Sequence, residues 1–327
     1  MIPRIHFIKR NSPAVAALLL MLCGCVAGPK YEKATVPTPP SWSIEAPWRA
    51  AEPKDGIPKG SWWTLYQDPV LNDLETAALD ANQTIQLSVT RVQQARDLAR
   101  VQVAGFFPSL SAGVSVERQR LSANRPAVGA AAPTTAITES VFQIPFQLNY
   151  EADLFGRVRR SVEAANAQYQ ATAAELENVR LLITSDLASD YFTLRELDAE
   201  ISDVEQAISY DEKGLQLVEN RHAGGVASGL DVAQQQTVLD AARAQLHLLR
   251  QQRATFEHAI ATLVGAPAPQ FHVTSTSLGT QIPAIPMGLP SDVLERRPDI
   301  AEAERQMASQ NALIGVAKSA FYPSVLL

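Results

Sequence analysis

The chain has 327 residues, 46% hydrophobic and 19% charged, with a formal net charge of −6 at pH 7. That balance excludes a general nucleic-acid binder, because no basic excess exists to neutralise phosphates. Length alone suggests two domains. At the N-terminus, residues 1–24 read as an export signal. Arg4, Lys9 and Arg10 form its basic end, and Ala14 to Leu22 form an apolar core too short to span a bilayer as a helix.

Leu22-Cys23-Gly24-Cys25 resembles a bacterial lipoprotein box, with Leu three before and Gly just before the lipid-bearing Cys25. Cys23 does not fit that pattern, because Leu22 precedes it. Cleavage before Cys25 leaves a single cysteine, so no intramolecular disulfide can form. Plain secretion, with Cys25 merely in the cut region, is the alternative. Acyl chains on Cys25 would anchor the chain to a membrane. The absence of Asp at Val26 and Ala27 resembles lipoproteins sorted to the outer rather than the inner membrane. The only prosthetic group expected is this covalent lipid. Residues 25–60 are proline-rich and read as a tether. Trp62, Trp63, Leu65 and Tyr66 follow as an apolar patch, expected to pack on helices rather than to stack on a ligand.

Residues 71–105 carry helical periodicity, and Phe106-Phe107-Pro108 then marks a change of period. Over 109–120, Leu110, Ala112, Val114 and Val116 alternate with Ser111, Gly113, Ser115 and Glu117. A loop runs from about Ser122 to Ser140. Over 141–154, Phe142, Ile144, Phe146, Leu148, Tyr150 and Ala152 alternate with Gln143, Pro145, Gln147, Asn149, Glu151 and Asp153. Two strands of ~10 residues, greasy on one face and polar on the other, carry the signature of a transmembrane β-barrel. A soluble sheet would alternate in the same way, but no further strands are at hand to build its core. A hairpin alone cannot sit in lipid with unpaired edges, so other strands, from other subunits, must close the barrel.

Residues 157–222 form one uninterrupted amphipathic run, from Val162 through Ile183, Leu187 and Tyr191 to Val218, in steps of three and four. At ~1.5 Å per residue, ~65 helical residues reach ~100 Å. The run ends at Ala223-Gly224-Gly225, and Ser228 is a fair N-cap for a second helix over 230–264. That helix is about half as long as its partner. The helix over 71–105 is of similar length and, stacked end to end with it, would match the long one. The fold class is therefore mainly α with membrane β-strands, built on a long helical hairpin.

The sequence is internally duplicated. A shift of about 215 positions sets Ile85 on Ile300, Leu98 on Leu313, and Phe106, Pro108 and Ser109 on Phe321, Pro323 and Ser324. Pro298-Asp299 opens the second helix. Residues 61–265 form a first repeat, 266–290 a linker and 291–327 the start of a second repeat. By analogy with the first, some ~150 residues would follow, so the sequence reads as a C-terminally truncated fragment.

These features together resemble the TolC-like outer membrane factors, in particular the lipoprotein branch of OprM and NodT type. The residues that carry the resemblance are Cys25 to Tyr31, Trp62-Trp63 with Asp68-Pro69, and Phe107-Pro108-Ser109. Glu151 to Arg157, Gly225 to Ser228 with Leu230-Asp231-Val232, and Leu294 to Asp299 complete the set. The resemblance implies a homotrimer of full-length chains sharing an outer-membrane β-barrel and a hollow periplasmic α-barrel, with residues 266–290 in an equatorial belt. It implies a passive exit duct for small molecules in a tripartite efflux or export system, driven by an inner-membrane pump through a periplasmic adaptor. The adaptor would meet Gly225, Val226, Ser228, Leu230 and Asp231; turn and capping chemistry alone also explains these residues. His222 and Gly229 depart from the family pattern, which commonly has an aromatic and a larger residue there. Gln143, Gln147, Asn149 and Glu151 would face the pore.

No catalytic residues and no metal ligands are expected. There is no phosphate-cradling glycine loop, no metal-spaced Cys/His set and no nucleophile elbow. His6, His222, His247, His258 and His272 are scattered. The rival readings are a periplasmic adaptor, which would lack the duplicated helix-to-strand junction, and a structural coiled-coil envelope lipoprotein, which leaves the greasy strands unexplained.

Overall fold

The computed structural model describes residues 26–32, 60–123, 136–276 and 296–327. The signal, Cys25 and most of the tether lie outside them. The described chain divides into two compact units, each discontinuous in sequence. One holds residues 26–32, 95–123, 136–169 and 305–327; the other holds 60–94, 170–276 and 296–304. This division cuts across the sequential repeat-by-repeat one, because three helices contribute residues to both units.

In chain order the helices are α1 (Pro69–Ala81), α2 (Gln83–Ala104), α3 (Arg157–Ala223), α4 (Gly229–Leu263) and α5 (Pro298–Ser319). The strands are β1 (Ser109–Ala112), β2 (Ser115–Leu121), β3 (Ile137–Gln143), β4 (Phe146–Asn149), β5 (Glu151–Ala152) and β6 (Val325–Leu326). The single helix expected over 71–105 is thus two. Asn82 breaks it with an extended backbone (ψ 123°), and its side chain makes the break tolerable. Asn82 Oδ1 accepts from the amides of Thr84 (2.9 Å) and Ile85 (3.2 Å), capping α2, while Nδ2 donates to Leu263 O (2.8 Å) at the end of α4. The end of α4 and the start of α2 therefore meet at one side chain. Beside it Gly265 turns the chain with φ +70°, where a Cβ would stand 2.9 Å from Ala81 O.

The core of this second unit gathers Trp63, Leu71, Leu74 and Ala78 against Leu187, Tyr191, Leu194, Ile260 and Val264. Asp68 ties the patch to the long helix. Its Oδ1 caps α1 at Val70 and Leu71, and its Oδ2 accepts from Tyr191 Oη at 2.6 Å. Trp62 Nε1 donates to Thr184 Oγ1 at 3.3 Å, so the Trp62-Trp63 pair packs on α3, although Leu65 stays exposed. Segment 271–274 is stapled by a buried charge network. Arg195 donates to Asp198 and Thr274 O, Arg253 donates to Asp198 and Val273 O, and Glu257 accepts from Val273 N.

The buried face of α3 near its start carries Ala164 and Ala167 in the first unit, and Ala171 and Ala174 in the second, rather than the larger Val162, Tyr169 and Leu176, which are half-buried. Spacings of three and four between alanines let another helix approach closely. Ser309 of α5 donates its hydroxyl to Ala164 O at 2.9 Å, and Ala312 beside it is fully buried.

Two consequences are measurable. Replacing Asn82 by Ala removes both cap bonds and the tie to α4, for a loss of about 1–2 kcal/mol; the amides of Thr84 and Ile85 should exchange about tenfold faster. Glu75 is fully buried in the core of the second unit, with no hydrogen-bond partner for its carboxylate among the described residues. Burial pushes its pKa up from the usual 4.5 to about 8. The folded chain therefore keeps a proton that the unfolded chain loses between those values. Stability should fall as pH rises through that window, by up to about 1.4 kcal/mol per pH unit, and level off above it. Denaturant titration of Glu75→Gln should show this slope removed.

Candidate functional site

The strand region is an antiparallel ribbon. β1 pairs with β4 from Ser109↔Asn149 to Ala112↔Phe146, and β2 pairs with β3 from Ser115↔Gln143 to Leu121↔Ile137. The two continuous strands expected are each interrupted, at Gly113-Val114 and Ile144-Pro145, because Pro145 has no amide to give to a ladder. The register nevertheless passes through without a slip, since Gly113 N donates to Pro145 O at 3.0 Å. Pairing also reaches farther than expected. Ile137 to Ser140 belong to β3 rather than to the loop, with Gln119 Nε2 donating to Glu139 Oε1 at 2.8 Å across the strands.

Because register is kept, even-numbered residues share one face. That face carries Leu110, Val114 and Val116 on one strand and Phe142, Ile144, Phe146 and Leu148 on the other, each between 62% and 80% exposed. A contiguous apolar patch this bare marks a surface that lipid or another protein covers. Tyr150 and Ala152 continue the apolar parity. From Phe142 to Ala152 the strand spans about 33 Å, or about 25 Å in height when tilted by ~40°. The expected polar set, Gln143, Gln147, Asn149 and Glu151, falls on the opposite face together with Ser109, Ser111, Ser115 and Glu117. The first three of that set are exposed; Glu151 is half-buried and held by Arg157.

Where helix becomes strand the duplication is atomic. Gly105, Phe106 and Phe107 donate to Gln102, Val103 and Ala104, and Ala320, Phe321 and Tyr322 donate to Ala317, Lys318 and Ser319. The same shift sets α2 on α5, each of 22 residues. After the second junction the chain returns to the ribbon. Tyr150 and Leu327 exchange both backbone hydrogen bonds (3.0 and 2.8 Å), and β5 pairs with β6. Pro145 bonds towards Gly113 and the even-numbered Tyr150 towards Leu327, so the incoming segment lies on the edge opposite β1. Phe106, Phe107, Phe321 and Tyr322 are all exposed at this end of the ribbon.

The residues after Cys25 are fixed at the same place. Ala27 N donates to Phe155 O at 2.9 Å, and the buried Arg160 donates to Ala27 O (3.2 Å) and Gly28 O (3.3 Å). Gly28, at φ +94°, lies so close to Gly315 that a Cβ would be 2.4 Å from its Cα. The sequence offers no pattern for this crossing beyond the glycines themselves.

The helical tip lies in the other unit. Gly225 has φ +74° and donates to His222 O, while Val226 donates to Arg221 O, a Schellman closure of α3. Ser228 and Asp231 form a capping box on α4, with Ser228 N donating to Asp231 Oδ2 at 2.7 Å and Asp231 N donating to Ser228 Oγ at 3.2 Å. The Ser228 N–H and hydroxyl, both donating to Oδ2, hold the exposed Asp231 carboxyl below its usual range. Turn chemistry thus uses Gly225, Ser228 and Asp231. The side chains of Val226 and Leu230 have no such duty, yet these residues are 71% and 66% exposed. His222 Nδ1 lies 2.8 Å from Ala227 O, a contact the sequence did not reveal.

Residues 74–266 match the family model described as "Outer membrane efflux protein". The chain belongs to the outer membrane efflux protein family. It is 30% identical over 323 residues to the probable efflux pump outer membrane protein SepC of Pseudomonas putida, covering 95% of this chain and 65% of SepC. It is 32% identical over 324 residues to the pyoverdine export outer membrane protein OpmQ of Pseudomonas aeruginosa, covering 98% of this chain and 66% of OpmQ. The solved outer-membrane channel OprN superposes with a TM-score of 0.76 at 26% identity, covering 92% of this chain and 66% of that one. The chain spans about 65% of the length of the first curated relatives it matches. Family membership places the chain with the outer membrane efflux proteins rather than with adaptors or structural coiled coils. The mainly α fold with membrane strands expected from the sequence is theirs.

Proposed function

We propose that this chain is a channel subunit of a tripartite efflux or export system, a passive duct that lets small molecules leave through the outer membrane. The observation that carries the reading is the ribbon. Its apolar parity runs from Phe142 to Ala152, over a height that matches a bilayer, and is bare from Phe142 to Leu148; it is flanked at the helical end by exposed aromatics of the kind that mark a membrane interface. An inner-membrane pump would drive transport through a periplasmic adaptor.

The free edge of β1 and β2 argues for strands from other copies, hence a homotrimer sharing one barrel. The polar face with Gln143, Gln147, Asn149 and Glu151 would line the pore. Cys25 would carry the lipid, two residues before the Ala27–Phe155 bond at the ribbon's base. Its acyl chains would then enter the membrane beside the exposed aromatics. Val226 and Leu230, with the turn set by Gly225, Ser228 and Asp231, would be the adaptor contact.

The test replaces Val226 and Leu230 together by Asp in cells that rely on this duct. Intracellular ethidium should then accumulate to the level of a deletion strain, with outer-membrane protein levels unchanged. Wild-type ethidium clearance by that variant would refute the tip assignment. Wild-type clearance by the deletion strain, with no rescuable export defect, would refute the duct.

A further inference from the structure

The ribbon stays two-faced beyond its apolar band. Past Val116 and Phe142 the even-numbered face continues with Arg118 opposite Ser140 and Arg120 opposite Thr138. Both arginines are exposed, and neither has a partner among the described residues. The carboxylates at this end, Glu117 and Glu139, stand at odd positions and so on the opposite face, where Gln119 engages Glu139. Charge is therefore sorted by face, with cations continuing the greasy side and anions the polar side.

Permanently charged guanidinium groups are costly within hydrocarbon, and the penalty fades towards the interface. Two of them directly beyond an apolar band sit where headgroups begin. Being two residues apart on one strand, their Cα atoms are ~6.6 Å apart, a spacing that lets two forks engage one doubly charged headgroup or two neighbouring phosphates. This is the end of the ribbon away from the helices, which in the membrane reading above is the outward-facing leaflet.

From this we infer that Arg118 and Arg120 form a docking surface for the phosphates of a phosphorylated glycolipid, lipid A, in the outer leaflet. The inference rests on the membrane reading. Free phosphate is the weaker occupant, because two exposed arginines in water hold it poorly, whereas a headgroup is delivered by the bilayer that the neighbouring residues already occupy.

The test reconstitutes the complete protein in phosphatidylcholine vesicles containing 5 mol% bis-phosphorylated lipid A, or the same amount of dephosphorylated lipid A. Lipid retained on re-extraction is counted by mass spectrometry for wild type, Arg118→Gln/Arg120→Gln and Arg118→Lys/Arg120→Lys. Wild type should retain about ten- to thirtyfold more of the phosphorylated form than the Gln pair does, and the Lys pair should fall between them. Equal retention by wild type and the Gln pair, or equal retention of dephosphorylated lipid A by wild type, would overturn the inference. So would loss of bound lipid A to millimolar inorganic phosphate. A nitroxide on Val116→Cys, corrected for labelling of wild type, separates the two levels. A label in hydrocarbon with unchanged retention sinks the headgroup site alone, whereas a label in water sinks the membrane reading with it.

Discussion

Every backbone N–H and C=O that enters hydrocarbon needs a partner supplied by protein, because no water is there to substitute. That constraint organises the first unit. The ribbon meets it internally over the long antiparallel register from Ser109–Asn149 to Leu121–Ile137, even across Pro145, where Gly113 supplies the crossing bond. On the opposite edge, Tyr150 is met by Leu327 in a reciprocal pair. The edge along β1 and β2 has no partner strand among the described residues. Two-faced side-chain chemistry follows: one face apolar, the other polar.

The helical part obeys a different rule, close approach through small residues. Ala164 and Ala167 begin the buried alanine stripe of α3 in the first unit, and Gly28 meets Gly315 with no space for a single added carbon. Arg160 sits over that crossing and donates to the carbonyls of Ala27 and Gly28. The segment that follows Cys25 is thereby locked to the helix-to-strand junction. Elsewhere single polar side chains join helices, as Asn82 does for α2 and α4 and Asp68 does for α1 and α3.

Much of this was legible in the sequence, and the residues show why. Period 3.6 without proline from Arg157 onwards admits only a long helix, and alternation from Leu110 and from Phe142 admits only strands. The Phe-Phe-Pro-Ser and Phe-Tyr-Pro-Ser junctions exposed the duplication, down to the hydrogen bonds around Phe106 and Phe321. What was missed depends on tertiary partners. Asn82 looks like any polar helix residue until Leu263 is brought beside it. Large apolar residues on α3 drew attention away from the alanines, since burial within one chain rewards close fit as well as greasy area. Ile137 to Ser140 resembled a loop because they follow an Ala-, Pro- and Thr-rich run, and the Gln119–Glu139 contact exists only across the ribbon. The charge sorting of Arg118 and Arg120 became visible only once register fixed their face. The polar strand residues and the tip residues are placed, but pore and adaptor roles rest on the proposal rather than on their positions.

The central claim is that this ribbon is a wall between lipid and water. The most direct measurement is nitroxide accessibility, scanned one residue at a time from Val141 to Ala152 in the complete protein reconstituted in lipid vesicles. The account predicts a period of two. Oxygen, which concentrates in hydrocarbon, should relax labels at Phe142, Ile144, Phe146 and Leu148, while a water-soluble nickel chelate should relax those at Gln143, Gln147 and Asn149. Uniform access of the nickel chelate to both sets would contradict it, and would mean that the apolar face is covered by protein or exposed to water rather than embedded in a membrane.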